Sequence, residues 1–171
     1  MFTIPESVRV LLEALPPELR LPGWLGPTLC SLELRDGALP TLSELSSGPP
    51  GSGSSGEDPL VLGTVRETQW QRDDDPPRYA AFCLLESGEV KLFDLATGEW
   101  RHVNSGVSEW VRCLTFFAKE WTALRKLGDE ELAEFLGWLR ARLRAIDEAC
   151  FEDDAAYWPM WLQILDEEAS L

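Results

Sequence analysis

The fold is decided by residues 79–117, which read YAAFCLLESGEVKLFDLATGEWRHVNSGVSEWVRCLTFF. Up to Val103, short apolar runs are separated by the polar stretches 86–89 and 96–99, each with a glycine that tolerates a positive φ. Turns spaced about ten residues apart predict an antiparallel meander. After residues 104–105 the apolar spacing changes from that of a strand to that of a helix. The segment therefore predicts a sheet that leads directly into a helix.

Working outward from this segment, the same two periodicities divide the rest of the chain. Strands are predicted at Leu60–Val65, Tyr79–Leu85, Val90–Leu95 and Trp100–Val103. Helices are predicted over Val107–Leu124, over Leu132–Ile146 and from about Pro159 to Glu167. In the third strand, Val90 and Leu92 alternate with Lys91 while Phe93 and Leu95 fall on the other side, so we expect cover on both faces. Asn104 or Ser105 is the expected cap of the first long helix.

The N-terminal third is less regular. Residues 6–14 have helical spacing, and one or two short strands are expected around Leu29–Leu34 and Leu39–Leu45. Residues 46–58 are rich in Gly, Ser and Pro, which predicts a flexible loop. We expect one α+β domain, with a twisted, mostly antiparallel sheet flanked by helices. Residues 1–45 would belong to it as a helix and Pro-rich lead-in, and residues 59–171 would form its main body.

Charge narrows the classes of partner. The chain has 171 residues and a formal net charge of −15. Such a chain repels phosphate backbones and anionic membrane surfaces, and it attracts a basic protein. We therefore expect a protein partner with a basic net charge, and neither nucleic acid nor membrane. Plain solubility is the alternative explanation of the same charge.

Few residues suggest catalysis or ligand binding. His102 is the single histidine, and no nucleophile or nucleotide-binding motif accompanies it. Cys30, Cys83, Cys113 and Cys150 lack the spacing of a zinc site or a disulfide framework. The sequence starts without a signal-peptide pattern. We expect a cytoplasmic protein that is not an enzyme and has no metal or cofactor.

The order of these motifs resembles the SUKH superfamily, in particular the immunity proteins found beside bacterial polymorphic toxins. The resemblance rests on residues 89–99, on Val103-Asn104-Ser105, on the aromatic helix after them and on the tail from Ile146 to Leu162, and it covers roughly residues 59–168. It implies an α+β domain that binds a cognate toxin, often a nuclease or a nucleic-acid deaminase, without catalysis. A protein-interaction scaffold of the same fold without a toxin is the alternative, and an enzyme with a cryptic site is a third hypothesis.

Two acidic stretches and two tryptophans are the candidates for contact with a partner. The candidates are Trp70, Asp73, Asp74, Asp75, Glu152, Asp153, Asp154 and Trp158. Acidic groups around aromatic anchors are a plausible binding surface. The alternatives are a solvated loop at 73–75, a Trp70 that covers the sheet, and C-terminal tryptophans that dock the last helix onto the core.

Overall fold

The computed structural model describes residues 10, 41–45, 58–67, 78–124 and 127–169. The predicted helix over 6–14 apart from Val10, the predicted strand at 29–34 and the predicted loop up to residue 57 lie outside the described residues.

The described strands form one antiparallel sheet in the order β1-β2-β3-β4. They are β1 (Leu60–Glu67), β2 (Arg78–Leu84), β3 (Val90–Asp94) and β4 (Trp100–Asn104). The two connections that the structure describes, β2–β3 and β3–β4, each contain a glycine in the left-handed region, Gly88 with φ 90° and Gly98 with φ 75°. An L side chain rarely adopts that conformation, so glycine fits these turns. The meander predicted from the spacing of the turns is confirmed.

Apart from one short helix before β1, the described helices follow the sheet along the chain, as predicted. They are the short α1 (Leu42–Leu45), then α2 (Val107–Leu124), α3 (Asp129–Ile146), a 3-10 helix (Glu148–Phe151) and α4 (Tyr157–Ala169). Helix α4 begins two residues before the expected Pro159, which still lies in the first turn, where a missing N–H leaves no helical hydrogen bond unmade. Together the sheet and helices make an α+β fold.

Apolar residues on both faces of the sheet are buried. On one face, alternate residues such as Leu62, Phe82 and Leu92 pack with helices α2, α3 and α4 in the main core. On the other face, Val61, Ala81, Cys83 and Phe93 form a second cluster with Leu42 of α1. The prediction that β3 is covered on both faces is therefore confirmed.

The segment around Leu39–Leu45 differs from the expected short strand. Thr41 makes a single bridge to Leu60, and residues 42–45 are helical. The backbone N–H of Thr41 donates to Glu44 Oε2 at 2.9 Å, which is the returning half of a capping box. The Thr-x-x-Glu spacing thus favours a helical turn here. Its buried Leu42 fills the second face of the sheet.

Candidate functional site

A buried polar network joins the end of the sheet to the last two helices. Asn104 Nδ2, at the end of β4, donates to Asp147 Oδ2 at 2.9 Å. Ser105 donates to the same carboxylate twice, from its backbone N at 2.8 Å and from Oγ at 3.0 Å. Trp158 Nε1 of α4 donates to Asn104 Oδ1 at 3.1 Å. Because Asp147 is only 5% exposed, these bonds satisfy a carboxylate that would be costly to bury alone.

The network corrects the role that the sequence suggested for residues 104 and 105. Helix α2 begins at Val107, and the first helical hydrogen bond runs from Trp110 N to Gly106 O at 3.0 Å. The side chains of Asn104 and Ser105 bind Asp147, and Gly106 occupies the position that precedes the helix. These polar residues therefore hold elements together across the fold, a role that local spacing does not reveal.

Trp158 does not lie on a surface, so the hypothesis that it anchors a partner needs correction. Its side chain is 1% exposed and packs against Phe117 and Tyr157, with ring centroids 5.6 and 5.2 Å apart. Tyr157 and Trp161 are buried as well. The C-terminal aromatics dock α4 onto the core, which was the alternative interpretation. Their helical spacing, with Trp158, Trp161 and Leu165 on one face, is the reason.

The acidic residues of the same stretch lie outside the core. Glu152, Asp153 and Asp154 are exposed on the loop between the 3-10 helix and α4. Asp153 Oδ1 accepts a hydrogen bond from Ala155 N at 2.9 Å, which orders the loop. The sequence has no Lys or Arg after Arg144. The loop thus presents an ordered group of carboxylates to solvent, and we call it the acidic loop.

The other predicted contact residues lie outside the described residues. They are Trp70, Asp73, Asp74 and Asp75, in the connection between β1 and β2. Their contribution to partner binding stays a prediction.

His102 and the buried cysteines show little of the geometry that catalysis needs. His102 lies on β4 with its Nδ1 3.8 Å from Glu89 Oε1. Burial and the nearby carboxylate of Asp58 raise the pKa of Cys83 to about 12. A hydrogen bond with the Cys113 side chain, together with burial, raises the pKa of Cys150. The thiolate is the nucleophilic form, so these thiols are poor nucleophiles at neutral pH.

Two absences concern only the part of the chain that the structure describes. No group of three or more His, Cys, Asp or Glu side chains there could hold a metal ion. None of the helices described has both the length and the apolar character needed to cross a bilayer.

One exposed aromatic residue was not among the candidates from the sequence. Trp138 of α3 is 41% exposed, although Phe116 and Phe135 pack against it with ring centroids 5.6 and 5.2 Å away. The signal was present in the helical pattern. Trp138 lies off the apolar stripe of α3 that includes Leu136, Leu139 and Leu143, so the same periodicity that buries those leucines turns this indole outward.

The fold and its surfaces define a class of protein before any comparison: an α+β domain with a four-stranded meander, helices packed on one face, and an acidic exterior. Among family models, the SUKH-4 immunity protein family matches residues 1–164. The chain therefore belongs to the SUKH-4 immunity protein family. This match includes the N-terminal residues, which the resemblance at 59–168 did not. Searches of curated proteins and of solved structures found no match.

Proposed function

We propose that this protein binds a cognate toxin domain and neutralises it by covering its active site or substrate groove, without catalysis. The toxin would be a polymorphic toxin of the nuclease or nucleic-acid deaminase type, and the protein would act in the bacterial cytoplasm. Membership of the immunity protein family supports a toxin as the partner. The chemistry of the surface supports the mode of binding.

The observation that carries the mode of binding is the acidic loop. Glu152, Asp153 and Asp154 are exposed, and residues 145–171 contain no Lys or Arg. An enzyme that acts on nucleic acid needs cationic groups for the phosphates. A surface of carboxylates offers those cations an alternative anionic partner and steers the encounter over a distance. The groove that such a protein covers is therefore the groove that would hold the phosphates.

The test is the association rate with a cognate toxin domain, for which the product of the neighbouring gene is the first candidate. We expect Glu152→Lys with Asp154→Lys to slow association by about tenfold at low ionic strength and to change dissociation much less. Asp153 is kept because its carboxylate orders the loop through Ala155. Added salt should reduce the difference, because screening weakens steering.

A matched control carries the same change of net charge elsewhere. Glu86→Lys with Glu99→Lys alters two exposed carboxylates in the hairpin turns. An equal loss of rate in this control would mean that only net charge matters and would remove the acidic loop from the interface. Charge reversal at Asp73, Asp74 and Asp75 tests the second predicted patch in the same way, and an unchanged rate at low salt would exclude it. If the wild-type chain neither binds nor inhibits the toxin, the proposed function itself fails.

A further inference from the structure

An open depression in the surface beside Trp138 combines an apolar wall with carboxylates. Its volume is about 410 Å³, and it is lined by Leu127, Glu131, Glu134, Phe135 and Trp138. Four of these residues belong to α3 at relative positions i, i+3, i+4 and i+7, so they share one side of the helix. We call this the Trp138 pocket. Its size lies at the lower end of the range for sites that hold a small group.

The described lining residues of the Trp138 pocket carry charge of one sign. Glu131 and Glu134 contribute two carboxylates, and the lining residues that the structure describes include no Lys or Arg. Arg142 lies one turn further along α3, with its guanidinium 5.9 Å from the centroid of the Trp138 ring. The ring therefore already contacts one guanidinium outside the pocket, and the carboxylates lie on its other side along the helix.

We propose that the Trp138 pocket binds an arginine side chain that projects from the surface of a basic partner protein. A guanidinium stacks on an indole better than an ammonium does, and it has five N–H donors. Carboxylates three residues apart on a helix are about 5–6 Å apart at their Cβ atoms, a separation that one guanidinium can bridge. That the arginine belongs to a protein partner rests on the proposed function. That the pocket binds an arginine side chain rests only on the residues that line it.

The binding chemistry can be tested without a toxin, by 19F NMR of the full chain labelled with 5-fluorotryptophan. The eight tryptophans give eight signals, and Trp138→Phe identifies one of them by its loss. The probe is the blocked tripeptide Gly-Arg-Gly at millimolar concentration. The comparison peptide contains citrulline, which has the shape of arginine without its charge. We expect the Trp138 signal to shift in a saturable way with the arginine peptide. The affinity for the citrulline peptide should be at least about tenfold lower.

Matched variants locate the effect. Glu131→Gln with Glu134→Gln should abolish the saturable shift, and Gln at 131 preserves the bond that Glu131 Oε2 accepts from Gly128 N at 3.3 Å. Glu152→Gln with Asp154→Asn should leave the titration unchanged. No shift, or an equal shift with citrulline, would overturn the proposal. The proposal would also be overturned if the Trp138 signal had the same position in H2O and in D2O. The ring would then be covered by another part of the chain or by a second copy.

The role in partner binding is measured separately, with the same cognate toxin domain. Trp138→Ala should weaken the complex by about 30-fold, the loss typical of a hot-spot tryptophan. Leu45→Ala is the control, since Leu45 is also 41% exposed. Equal affinities for Trp138→Ala and the wild type would remove the pocket from the interface. Absence of any wild-type complex would contradict the proposed function while leaving the arginine titration to decide the chemistry of the pocket.

Discussion

Removal of the Asp147 carboxylate is the sharpest test of how this fold is held together. The carboxylate accepts three hydrogen bonds, from Asn104 Nδ2 at 2.9 Å, Ser105 N at 2.8 Å and Ser105 Oγ at 3.0 Å. Asp147→Ala leaves the buried Nδ2 of Asn104 without this acceptor, which costs about 1–3 kcal/mol. It also removes two bonds from Ser105, an exposed residue whose donors can bind water, at a net cost of about 0.5–1.5 kcal/mol each. We expect the free energy of unfolding to fall by about 3–5 kcal/mol, a large part of the roughly 5–15 kcal/mol typical of a domain.

The assay is urea unfolding followed by tryptophan fluorescence. With a slope of about 2 kcal/mol/M, the expected loss moves the midpoint by roughly 2 M. Asp153→Ala is the control, because Asp153 is an exposed carboxylate that accepts one local hydrogen bond. It should cost about 1 kcal/mol or less. If Asp147→Ala costs no more than Asp153→Ala, the network does not stabilise the fold and the reasoning is refuted.

A double-mutant cycle separates the network from general damage. Asn104→Ala removes the link between Asp147 and Trp158, so the double variant with Asp147→Ala should lose less than the sum of the two single variants. We expect a coupling of about 1–3 kcal/mol. Additive losses would mean that the two side chains act independently. The network also fixes the start of the chain segment that leads to the acidic loop, so its loss should weaken toxin binding through loop placement.

Two smaller predictions concern stability. The folded-state pKa of Cys83 is about 12 against an ordinary 9.0, so between these values the folded chain keeps a proton that the unfolded chain loses, and stability falls as pH rises. The midpoint of urea unfolding should therefore decline with pH in the wild type and decline less in Cys83→Ala. Equal slopes of midpoint against pH in the two proteins would contradict this. Gly88→Ala should lower the free energy of unfolding by about 1–2 kcal/mol, because the φ of Gly88 is 90°. Gly137→Ala should raise it by up to about 1 kcal/mol, because Gly137 lies within helix α3 and has open space where a Cβ would be. Shifts of the urea midpoint in the same direction for both variants would contradict this pair of predictions.

The regular elements could be predicted because each has a local signal. Turn glycines at residues 88 and 98 separate the strands, and the change to helical spacing after Ser105 marks the start of α2. These signals depend on neighbours along the chain, so one sequence is enough to read them. The four-residue helix α1 also has a local signal, the Thr-x-x-Glu box at Thr41, but its apolar residues alone suggested a strand.

The candidate site was less predictable because it depends on which side chains meet in space. Asp147 is one of many carboxylates in the sequence, and only the approach of Asn104, which lies 43 residues earlier, makes it a buried acceptor. The spacing of Trp158 fits both a docked helix and an exposed anchor until the fold shows which side is covered. The exposure of Trp138 differs from these cases, because its position off the apolar stripe of α3 is a local signal that the sequence already contains.

The two candidate surfaces lie on different sides of α3, and this limits what one partner can contact. Arg140 lies over the Phe151 ring at 5.8 Å, and Arg144 pairs with Glu148 at 3.5 Å, so the segment leading into the acidic loop packs on the side of these arginines. At 3.6 residues per turn, both arginines are rotated by roughly 120–160° from Trp138. A partner with a flat interface of standard size, about 800 Å² per side, would therefore cover one surface. If variants in the acidic loop and variants in the Trp138 pocket both lower the affinity, the partner must wrap around α3. If variants in only one of these surfaces do so, that surface marks the side of the helix that the toxin occupies.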